Sequence, residues 1–392
     1  MRSGEAKNRR GPPGQTGGRH LTGSSCYPPA GPEVTAGRAG GRIRGPRSGA
    51  AGTTARDCPT PPGRPPGAPG KVPIRPFACD PPDLPAALAR LLRAVPRGRV
   101  CTFGDLAAGL GAKAAAVWCG TVCRRPPQSW RNVPVHRAVR ASGECVAPGQ
   151  LDRLMAEGVP VRGGRVDLAA CRFPGPSERF PAPGPLDALR DEQAALADRV
   201  VLAGELPPGP VAAVDVAYPA PDRARAAYVE LEPGGDEPAF SLAVESPVRF
   251  PYVSGFLSYR ELPAYAALWD AVCGAGRAPA AVLVDGNGAL HPRGCGVACA
   301  LGVLADVRTV GVAKKTLCGT VGDGGAVLLG GEEVGRAMAN PRLTGGTPVF
   351  VSPGHGVSVA AAAGLAAAWF RGHRLPEPVF LADKLSKSRG SS

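Results

Sequence analysis

The 392-residue sequence predicts an α/β domain with a mixed sheet and covering helices over residues 185–385, preceded by a small helical domain of the winged helix-turn-helix type over residues 74–172. In the larger domain, three strand-like segments with short connections come first, and helical and strand-like segments alternate after them. That order is typical of a mixed sheet covered by helices. In the smaller domain, three short helical segments follow one another with tight turns. At roughly 100–200 residues per domain, the chain is long enough for both.

The segments outside these domains are rich in Gly and Pro. The chain contains 55 Gly and 45 Pro, a share well above that of ordinary domains, and runs of both occur in residues 1–72. Because such a segment has little apolar surface to bury, we expect residues 1–72 to be disordered. Two interpretations stay open for it, a basic arm that holds nucleic acid weakly and an extension without a role. Residues 173–184 are predicted to be a Pro-rich, semi-rigid linker, and residues 386–392 a short tail.

The net charge of +14 and the pI of about 9.6 favour a polyanionic partner, because each phosphate contact releases condensed counterions. Residues 1–56 hold much of that excess, so a basic tail on a nearly neutral body accounts for part of it. No apolar run reaches the roughly 18–20 residues of a membrane span, and the N-terminus has no signal-peptide core. The sequence therefore predicts a cytoplasmic protein without membrane association.

The 12 cysteines do not have the paired CxxC spacing of a zinc ribbon, and this spacing argues against that class of site. Cys119 and Cys123 are one helical turn apart, and so are Cys295 and Cys299. We interpret both pairs as small buried side chains rather than as metal ligands.

The helices of the smaller domain have clear start and stop signals. The first spans 83–95 with Pro85 near its start, and Thr102 caps the second, which stops at the glycines within 109–111. The third spans 112–125 and ends in cationic side chains, where positive charge is favourable. Such a helix fits a DNA groove while flanking cations hold phosphates. A plain three-helix bundle is the alternative that this pattern leaves open.

Apolar periodicity defines the elements of the larger domain. We predict helices at 186–202, 261–275, 294–306 and 357–372, and strands at 211–218, 224–231, 240–248, 280–286, 309–314 and 347–354. The strand at 280–286 is almost wholly apolar, which indicates burial on both of its faces.

Three carboxylates stand at chemically notable places in these elements. Asp215 lies inside an apolar strand, Asp285 ends another, and Glu261 opens a predicted helix. A carboxylate in a buried strand is costly unless it is paired or metal-bound. Carboxylates that converge from strand ends are the ligands that Mg²⁺ and Mn²⁺ prefer, and such ions promote phosphodiester hydrolysis. From the residues alone, a metal site and scattered structural acids are equally compatible.

The strings around these residues resemble a known family. In chain order they read VDVAY, PYVSGFLSYRE, VDGNGALHPRGCGVACALG, VGVAKKTLCG, PVFVSPGH and RLPEPVFLADKLS. Over roughly residues 185–385 they closely resemble endonuclease V, a family of repair nucleases with a ribonuclease H-like fold. The resemblance implies a nuclease dependent on Mg²⁺ or Mn²⁺ that cuts the second phosphodiester bond on the 3′ side of deoxyinosine, leaving 3′-hydroxyl and 5′-phosphate ends. It also implies inosine in single-stranded RNA as an alternative substrate, and we expect a monomer.

The resemblance assigns the acidic residues to one metal site. It implies that Asp215, Glu261 and Asp285 are catalytic metal ligands. Asp383, in LADKLS, matches a fourth metal-site group, for which a surface carboxylate is the alternative.

Two basic residues match catalytic positions near the scissile phosphate. The resemblance implies that Lys314 stabilises phosphate charge as a point cation and that His291 acts beside it. The alternatives are a solvated lysine and a hydrogen-bonded loop histidine. His355, in SPGH, has no assigned role.

The segment PYVSG matches the loop with which the family separates DNA strands. The resemblance implies that Pro251, Tyr252 and Gly255 contact DNA, and that Tyr252 fills the space left by a base that swings out of the stack. Ser254 replaces a proline that is usual in the family, which predicts a softer wedge, and Asn287 replaces a common histidine.

The smaller domain resembles the DNA-binding domain of alkylguanine-DNA alkyltransferases and of alkyltransferase-like proteins, through VPRGRVCTFGDLAAGLG and VHRAVRASGE. The transferases have a nucleophilic cysteine where this chain has Val135, so the resemblance implies lesion recognition without alkyl transfer. Phe103 replaces a common tyrosine. Either Arg124 or Arg125 is implied to be the arginine that intercalates into DNA.

Two classes of function therefore remain. The first is a nuclease whose small domain recognises lesions and raises the local concentration of the active site at damaged DNA. The rival is a lesion-binding protein with a weakened nuclease. A DNA-binding domain without lesion preference is the alternative for the small domain.

Overall fold

The computed structural model describes residues 81–173 and 183–388. The predicted disordered segment 1–72 and most of the predicted linker at 173–184 lie outside the described residues. No helix in the described ranges is long and apolar enough to cross a membrane.

The small domain contains the three predicted helices and several short elements after them. Its helices are α1 (Leu84–Ala94), α2 (Phe103–Gly109), α3 (Ala116–Arg124), α4 (Gln150–Ala156) and α5 (Leu168–Cys171). Its strands are β1 (Cys101–Thr102), β2 (Ala138–Val139), β3 (Val161–Arg162) and β4 (Arg165–Val166). Strands β1 and β2 pair in parallel, and β3 and β4 form a small antiparallel hairpin. The prediction of a small helical domain is confirmed.

Local capping explains where the first two helices start. The Asp83 side chain accepts a hydrogen bond from the Ala86 amide at 2.9 Å, which satisfies one of the donors left unpaired at the start of α1. Thr102 and Asp105 form a reciprocal capping box at the start of α2. Burial raises the pKa of Asp105, but hydrogen bonds from Arg172 and Thr102 outweigh it and hold the pKa below its usual value. The cap of α2 therefore also ties this helix to the end of the domain.

The large domain is built on a nine-stranded mixed sheet covered by helices. Its strands are β5 (Val211–Ala220), β6 (Arg223–Leu231), β7 (Phe240–Pro247), β8 (Ala281–Asp285), β9 (Thr309–Ala313), β10 (Thr320–Val321), β11 (Ala326–Leu329), β12 (Glu332–Met338) and β13 (Val349–His355). Their order is β10-β11-β12-β13-β9-β8-β5-β6-β7. The central strands β5, β8 and β9 are parallel, and the other pairings are antiparallel. The predicted mixed sheet is confirmed.

Five helices cover this sheet in the described part of the chain. They are α6 (Asp187–Ala197), α7 (Leu257–Gly274), α8 (Val297–Ala305), α9 (Val359–Ala368) and α10 (Glu377–Lys387). Side chains of α7 and α8 share a buried core with Ala212 and Val214 of β5. Side chains of α9 and α10 share another core with Val211 and Ala213. Because side chains alternate along a strand, Asp215 belongs to the face that α10 covers.

Several predicted boundaries are wrong. Helix α7 begins at Leu257, so Glu261 lies one turn inside the helix and does not open it. Pro263 explains the error. Proline is typical of the first turn of a helix, which favoured a start at residue 261, but here Pro263 lies within the helix. The helix predicted at 186–202 ends at Ala197. The strands β10, β11 and β12 and the helix α10 were not predicted as elements, because glycines interrupt the strand pattern and Pro376 and Pro378 lie at the start of α10.

The cysteine pairs are buried as predicted. Cys119, Cys295 and Cys299 are inaccessible to solvent, and Cys123 is nearly so. Burial raises the pKa of the Cys123 thiol to about 12. These thiols act as small apolar side chains of the cores.

Candidate active site

Two aspartates lie side by side on the central parallel strands. Val214 of β5 pairs with Val284 of β8, so the next residues, Asp215 and Asp285, are neighbours across the sheet. The apolar residues before them alternate between the two cores, and this alternation points both carboxylates toward α10. Asp215 is 7% exposed. The parallel pairing of β5 with β8 and its register therefore bring these two carboxylates together.

Helix α10 adds a third carboxylate. Oxygens of Asp215, Asp285 and Asp383 all lie within 4.8 Å of one another. Oxygen ligands stand roughly 2.0–2.6 Å from Mg²⁺ or Ca²⁺. Two ligands on opposite sides of one ion are therefore separated by roughly twice that distance, which is comparable to the 4.8 Å found here. The geometry places Asp383 beside the two strand aspartates. The donor set suits a hard divalent cation.

Glu261 approaches the aspartates from α7 but is not one of the three mutually close carboxylates. Its Oε1 lies 3.4 Å from the Tyr218 hydroxyl, and its buried Oε2 has no hydrogen-bond partner. Burial raises the pKa of Glu261 well above its usual value, and the charges of Asp215 and Asp285 raise it further. A buried carboxylate oxygen without a partner is costly, and a cation nearby would remove that cost.

The same repulsion acts on Asp215. Burial is the main cause that raises the pKa of its carboxyl, and the charge of Asp285 adds to it. A hydrogen bond of 2.6 Å donated by the Ser386 hydroxyl opposes this shift. The cluster is thus electrostatically unfavourable as four free carboxylates, which is the condition under which a divalent cation binds strongly.

Lys314 supplies part of the missing positive charge. It follows β9, and its Nζ donates to Asp285 at 2.6 Å and to Asp383 at 2.8 Å. Lys387 donates to the other oxygen of Asp383 at 2.6 Å. Burial lowers the pKa of Lys314, but the two aspartates outweigh it and raise the pKa. Lys314 is therefore ion-paired with two carboxylates of the cluster, while its side chain is 41% exposed.

The two histidines form their hydrogen bonds with backbone amides outside this cluster. His291 is buried in the loop after β8, where its Nδ1 accepts from the Arg293 amide at 3.2 Å. Burial, and then the charge of Arg293, lowers the pKa of His291 to about 4, so the ring is neutral at pH 7. His355 pairs with Thr309 at the start of β9, whereas Lys314 follows the other end of that strand, and His355 Nδ1 accepts from the Val201 amide at 3.3 Å.

The PYVSG segment is anchored on both sides of an exposed tyrosine. Tyr252 is 43% exposed, whereas Phe250 and Val253 are each 1% exposed. Pro251 is partly buried. Gly255 has a φ of +79°, a conformation that favours glycine, and its carbonyl accepts a hydrogen bond from Arg293.

In the small domain, the two predicted arginines are exposed at the C-terminal end of α3. Arg124 is the last residue of that helix and Arg125 caps it. Val135 lies in a short 3₁₀ turn, and it offers no nucleophile. The neighbouring His136 Nε2 lies 2.8 Å from Glu157 Oε1, and hydrogen bonds from Arg137 and His136 lower the pKa of Glu157 to about 2.

Two residues at the site were missed by the sequence analysis. Ser386 is buried and holds Asp215, and Arg293 holds Gly255. The signal for Ser386 was present, since it follows Asp383 by three residues and shares its side of a helix. Arg293 had no comparable signal, because the partners of its side chain, Gln193 and Gly255, are distant along the chain.

Comparison with known proteins identifies two families along the chain. A profile described as "Endonuclease V" matches residues 194–384, and one described as "6-O-methylguanine DNA methyltransferase, DNA binding domain" matches residues 84–158. A bifunctional methyltransferase/endonuclease of Picrophilus torridus is 32% identical over 282 residues, which are 71% of this chain and 87% of that protein. Endonuclease V of Xanthomonas oryzae pv. oryzae is 39% identical over 209 residues, which are 50% of this chain and 86% of the relative. The crystal structure of human ENDOV is 35% identical, covers 52% of this chain and 96% of its own, and aligns with a TM-score of 0.47.

Proposed function

We propose, because the chain belongs to the endonuclease V family of DNA repair endonucleases, that it hydrolyses the second phosphodiester bond on the 3′ side of deoxyinosine with Mg²⁺ as cofactor. The alkyltransferase-like DNA-binding domain in front of the nuclease would recognise lesions without transferring alkyl groups. The observation that carries the proposal is the group of mutually close carboxylates, Asp215, Asp285 and Asp383, beside a buried Glu261 oxygen without a partner.

These four residues fit a divalent cation, with Asp215, Asp285 and Asp383 as its holders and Glu261 beside them. A cation held there supplies activation of the attacking water and stabilisation of the leaving oxygen. Mg²⁺ is the first choice, and Mn²⁺ has the same preference for oxygen ligands.

The basic residues have separate parts in this proposal. Lys314 would hold the negative charge of the scissile phosphate, since its Nζ already lies within hydrogen-bond distance of the cluster. His291, as a neutral ring, would act beside the phosphate as a hydrogen-bonding group. The catalytic role of His291 rests on the family motif, because its hydrogen bond with the Arg293 amide lies within its own loop.

The proposed DNA contacts centre on side chains that are exposed to solvent. Tyr252 would enter the stack when the lesion swings out, with Pro251 and Gly255 contacting the strand beside it. Arg124 and Arg125 would contact DNA from the end of α3. The absence of a nucleophile at Val135 supports recognition without transfer.

A nicking assay tests the proposal. The full chain is incubated with Mg²⁺ and end-labelled duplexes that contain deoxyinosine, O6-alkylguanine or no lesion. We expect a nick at the second phosphodiester bond on the 3′ side of deoxyinosine, with a 5′-phosphate. Asp285→Asn should lower the rate by more than 100-fold, since even the partners behind metal ligands are worth roughly 10–100-fold. Binding of the duplex, measured by fluorescence anisotropy, should persist.

The matched control is Asp270→Asn, which removes an exposed aspartate of α7 and should leave the rate unchanged. Cleavage that survives in Asp285→Asn would refute the metal-site assignment. Lesion binding without any nicking at high enzyme would favour the lesion-binding protein. Cleavage of inosine RNA with no cleavage of deoxyinosine DNA would favour an endoribonuclease.

A further inference from the structure

The hydrophobic core of the small domain continues into the nuclease. One buried cluster contains side chains of α1 and α2 together with side chains of α6 and of the segment 250–259. From the small domain it includes Leu88, Leu92, Leu106 and Leu110, and from the nuclease Leu186, Leu189, Phe250, Val253, Phe256 and Tyr259. These residues are all at most 1% exposed. The two domains therefore do not meet only at their surfaces.

Hydrogen bonds tie the start of α6 to the end of α2. The Leu186 amide donates to the Leu110 carbonyl at 2.9 Å, and Arg190 Nη1 donates to the Gly111 carbonyl at 3.0 Å. On the other side of α6, the Tyr259 hydroxyl donates to the Leu189 carbonyl at 2.6 Å. Helix α6 thus connects the small domain to the segment that carries the PYVSG sequence.

The exposed Tyr252 stands between two members of this shared core. Phe250 and Val253 are buried on either side of it. Phe256 follows, with the Arg293 guanidinium 4.5 Å from the centre of its ring, and Arg293 also donates to Gly255 and, at 2.7 Å, to Gln193 of α6. The residues that flank Tyr252 are therefore packed into the shared core.

We propose that the small domain positions the strand-separating loop, with Leu110 as the positioning residue that supports Phe250, Val253 and Phe256 through the shared core. This inference rests on the proposed function, because it assumes that Tyr252 enters duplex DNA. It gives the small domain a role in strand separation beyond the recognition of lesions.

The test compares Leu110→Ala with Leu154→Ala in the full chain. Leu154 is equally buried but belongs to a separate core of the small domain, formed with Val100, Val139, Val159 and Val166. Both variants remove a fully buried leucine, so both should lower stability by similar amounts. Only Leu110→Ala removes support from the shared core.

The measurement is the single-turnover rate at saturating enzyme on deoxyinosine in duplex and in single-stranded DNA. Because a displaced reactive group costs up to about 100-fold, we expect Leu110→Ala to slow duplex cleavage about tenfold or more. Cleavage of the single strand, which needs no separation, should change less than about twofold, and Leu154→Ala should leave the ratio of the two rates unchanged. A parallel loss on both substrates, or the same change of ratio in Leu154→Ala, would overturn the inference.

A fluorescence measurement separates this inference from the proposed function. The probe is 2-aminopurine placed beside deoxyinosine in a duplex, which brightens when the bases unstack. Leu110→Ala should reduce the enhancement on binding, as Tyr252→Ala does, and the double variant should resemble Tyr252→Ala alone. If the wild-type chain cleaves neither substrate, the proposed function fails. Independently of cleavage, a fluorescence enhancement that Leu110→Ala leaves unchanged would reject the inference.

Discussion

At the scale of single residues, the site depends on groups that do not belong to the family motif's acidic set. Ser386 is 2% exposed, and its hydroxyl lies 2.6 Å from Asp215 and 2.9 Å from the Asp383 carbonyl. A hydroxyl has only one proton to donate. When Ser386 donates it to the Asp215 carboxylate, that hydrogen bond orients Asp215. In the proposed metal site, Ser386 therefore acts behind the ligand Asp215, a position where partners tune metal affinity.

This residue gives a direct prediction. Ser386→Ala should raise the Mg²⁺ concentration needed for half-maximal cleavage by about tenfold, with a smaller effect on the rate at saturating Mg²⁺. The measurement is the nicking rate against Mg²⁺ concentration, and Mn²⁺ binding by calorimetry gives a second readout. Ser388→Ala is the control, because its hydroxyl donates to the Leu385 carbonyl at the end of α10. Equal Mg²⁺ requirements in the two variants would contradict the assigned role.

At the scale of elements, the loop after β8 lies directly against β13. The Gly288 amide donates to Ser352 Oγ at 2.9 Å, and a Cβ on Gly288 would stand 2.1 Å from the Pro353 carbonyl oxygen. Real side chains do not approach a backbone oxygen so closely, so only glycine fits without movement of one element. This packing fixes the position of the loop from Asp285 to His291 against β13.

Gly288→Ala should therefore lower the free energy of unfolding by about 1–3 kcal/mol or more, because the loop or β13 must shift. Urea unfolding monitored by circular dichroism measures the decrease. Gly364→Ala, in the middle of α9 with open space around it, should instead gain up to about 1 kcal/mol from helix propensity. An unchanged stability in Gly288→Ala would show that the loop is not confined by β13.

At the scale of the whole molecule, the two proposed DNA-binding surfaces belong to a chain with a net charge of +14. Polyanion binding by such a chain releases counterions, so its salt dependence reflects the number of phosphates that it neutralises. The exposed end of α3 is one expected source of this neutralisation.

The combined variant Arg124→Gln and Arg125→Gln should weaken duplex binding and reduce the slope of log K against log salt by about 1 for each phosphate that these arginines neutralise. Fluorescence anisotropy on an undamaged duplex between low and moderate salt measures the slope. Arg153→Gln, an exposed arginine of α4, is the control for removal of charge alone. The same slope change in the control would remove the assignment of this surface to Arg124 and Arg125.

Most of the sheet and the first pair of site residues could be predicted from the sequence. Strand periodicity is a property of adjacent residues, and it placed Asp215 and Asp285 on apolar strands that the structure pairs side by side. The helix caps of the small domain also depend on nearby residues, since Thr102 and Asp105 of one cap are three residues apart. The resemblance of the surrounding strings then assigned a chemistry that periodicity left open.

Local sequence patterns did not predict the start of α7 or the hairpins from β10 to β12. Tertiary packing overrode the local preferences of proline and glycine in these segments. The contact of Ser386 with Asp215 joins residues 171 positions apart, and the shared core joins α1 and α2 to the segment around Tyr252. Such contacts depend on strand order and on which faces pack together, and no short stretch of sequence contains that information. The sequence by itself determined the elements, the aspartates on the strands and the family. Only the tertiary structure decided that Asp383 lies beside them and that the core of the small domain continues to the residues flanking Tyr252, since burial acts between surfaces that the chain brings together only on folding.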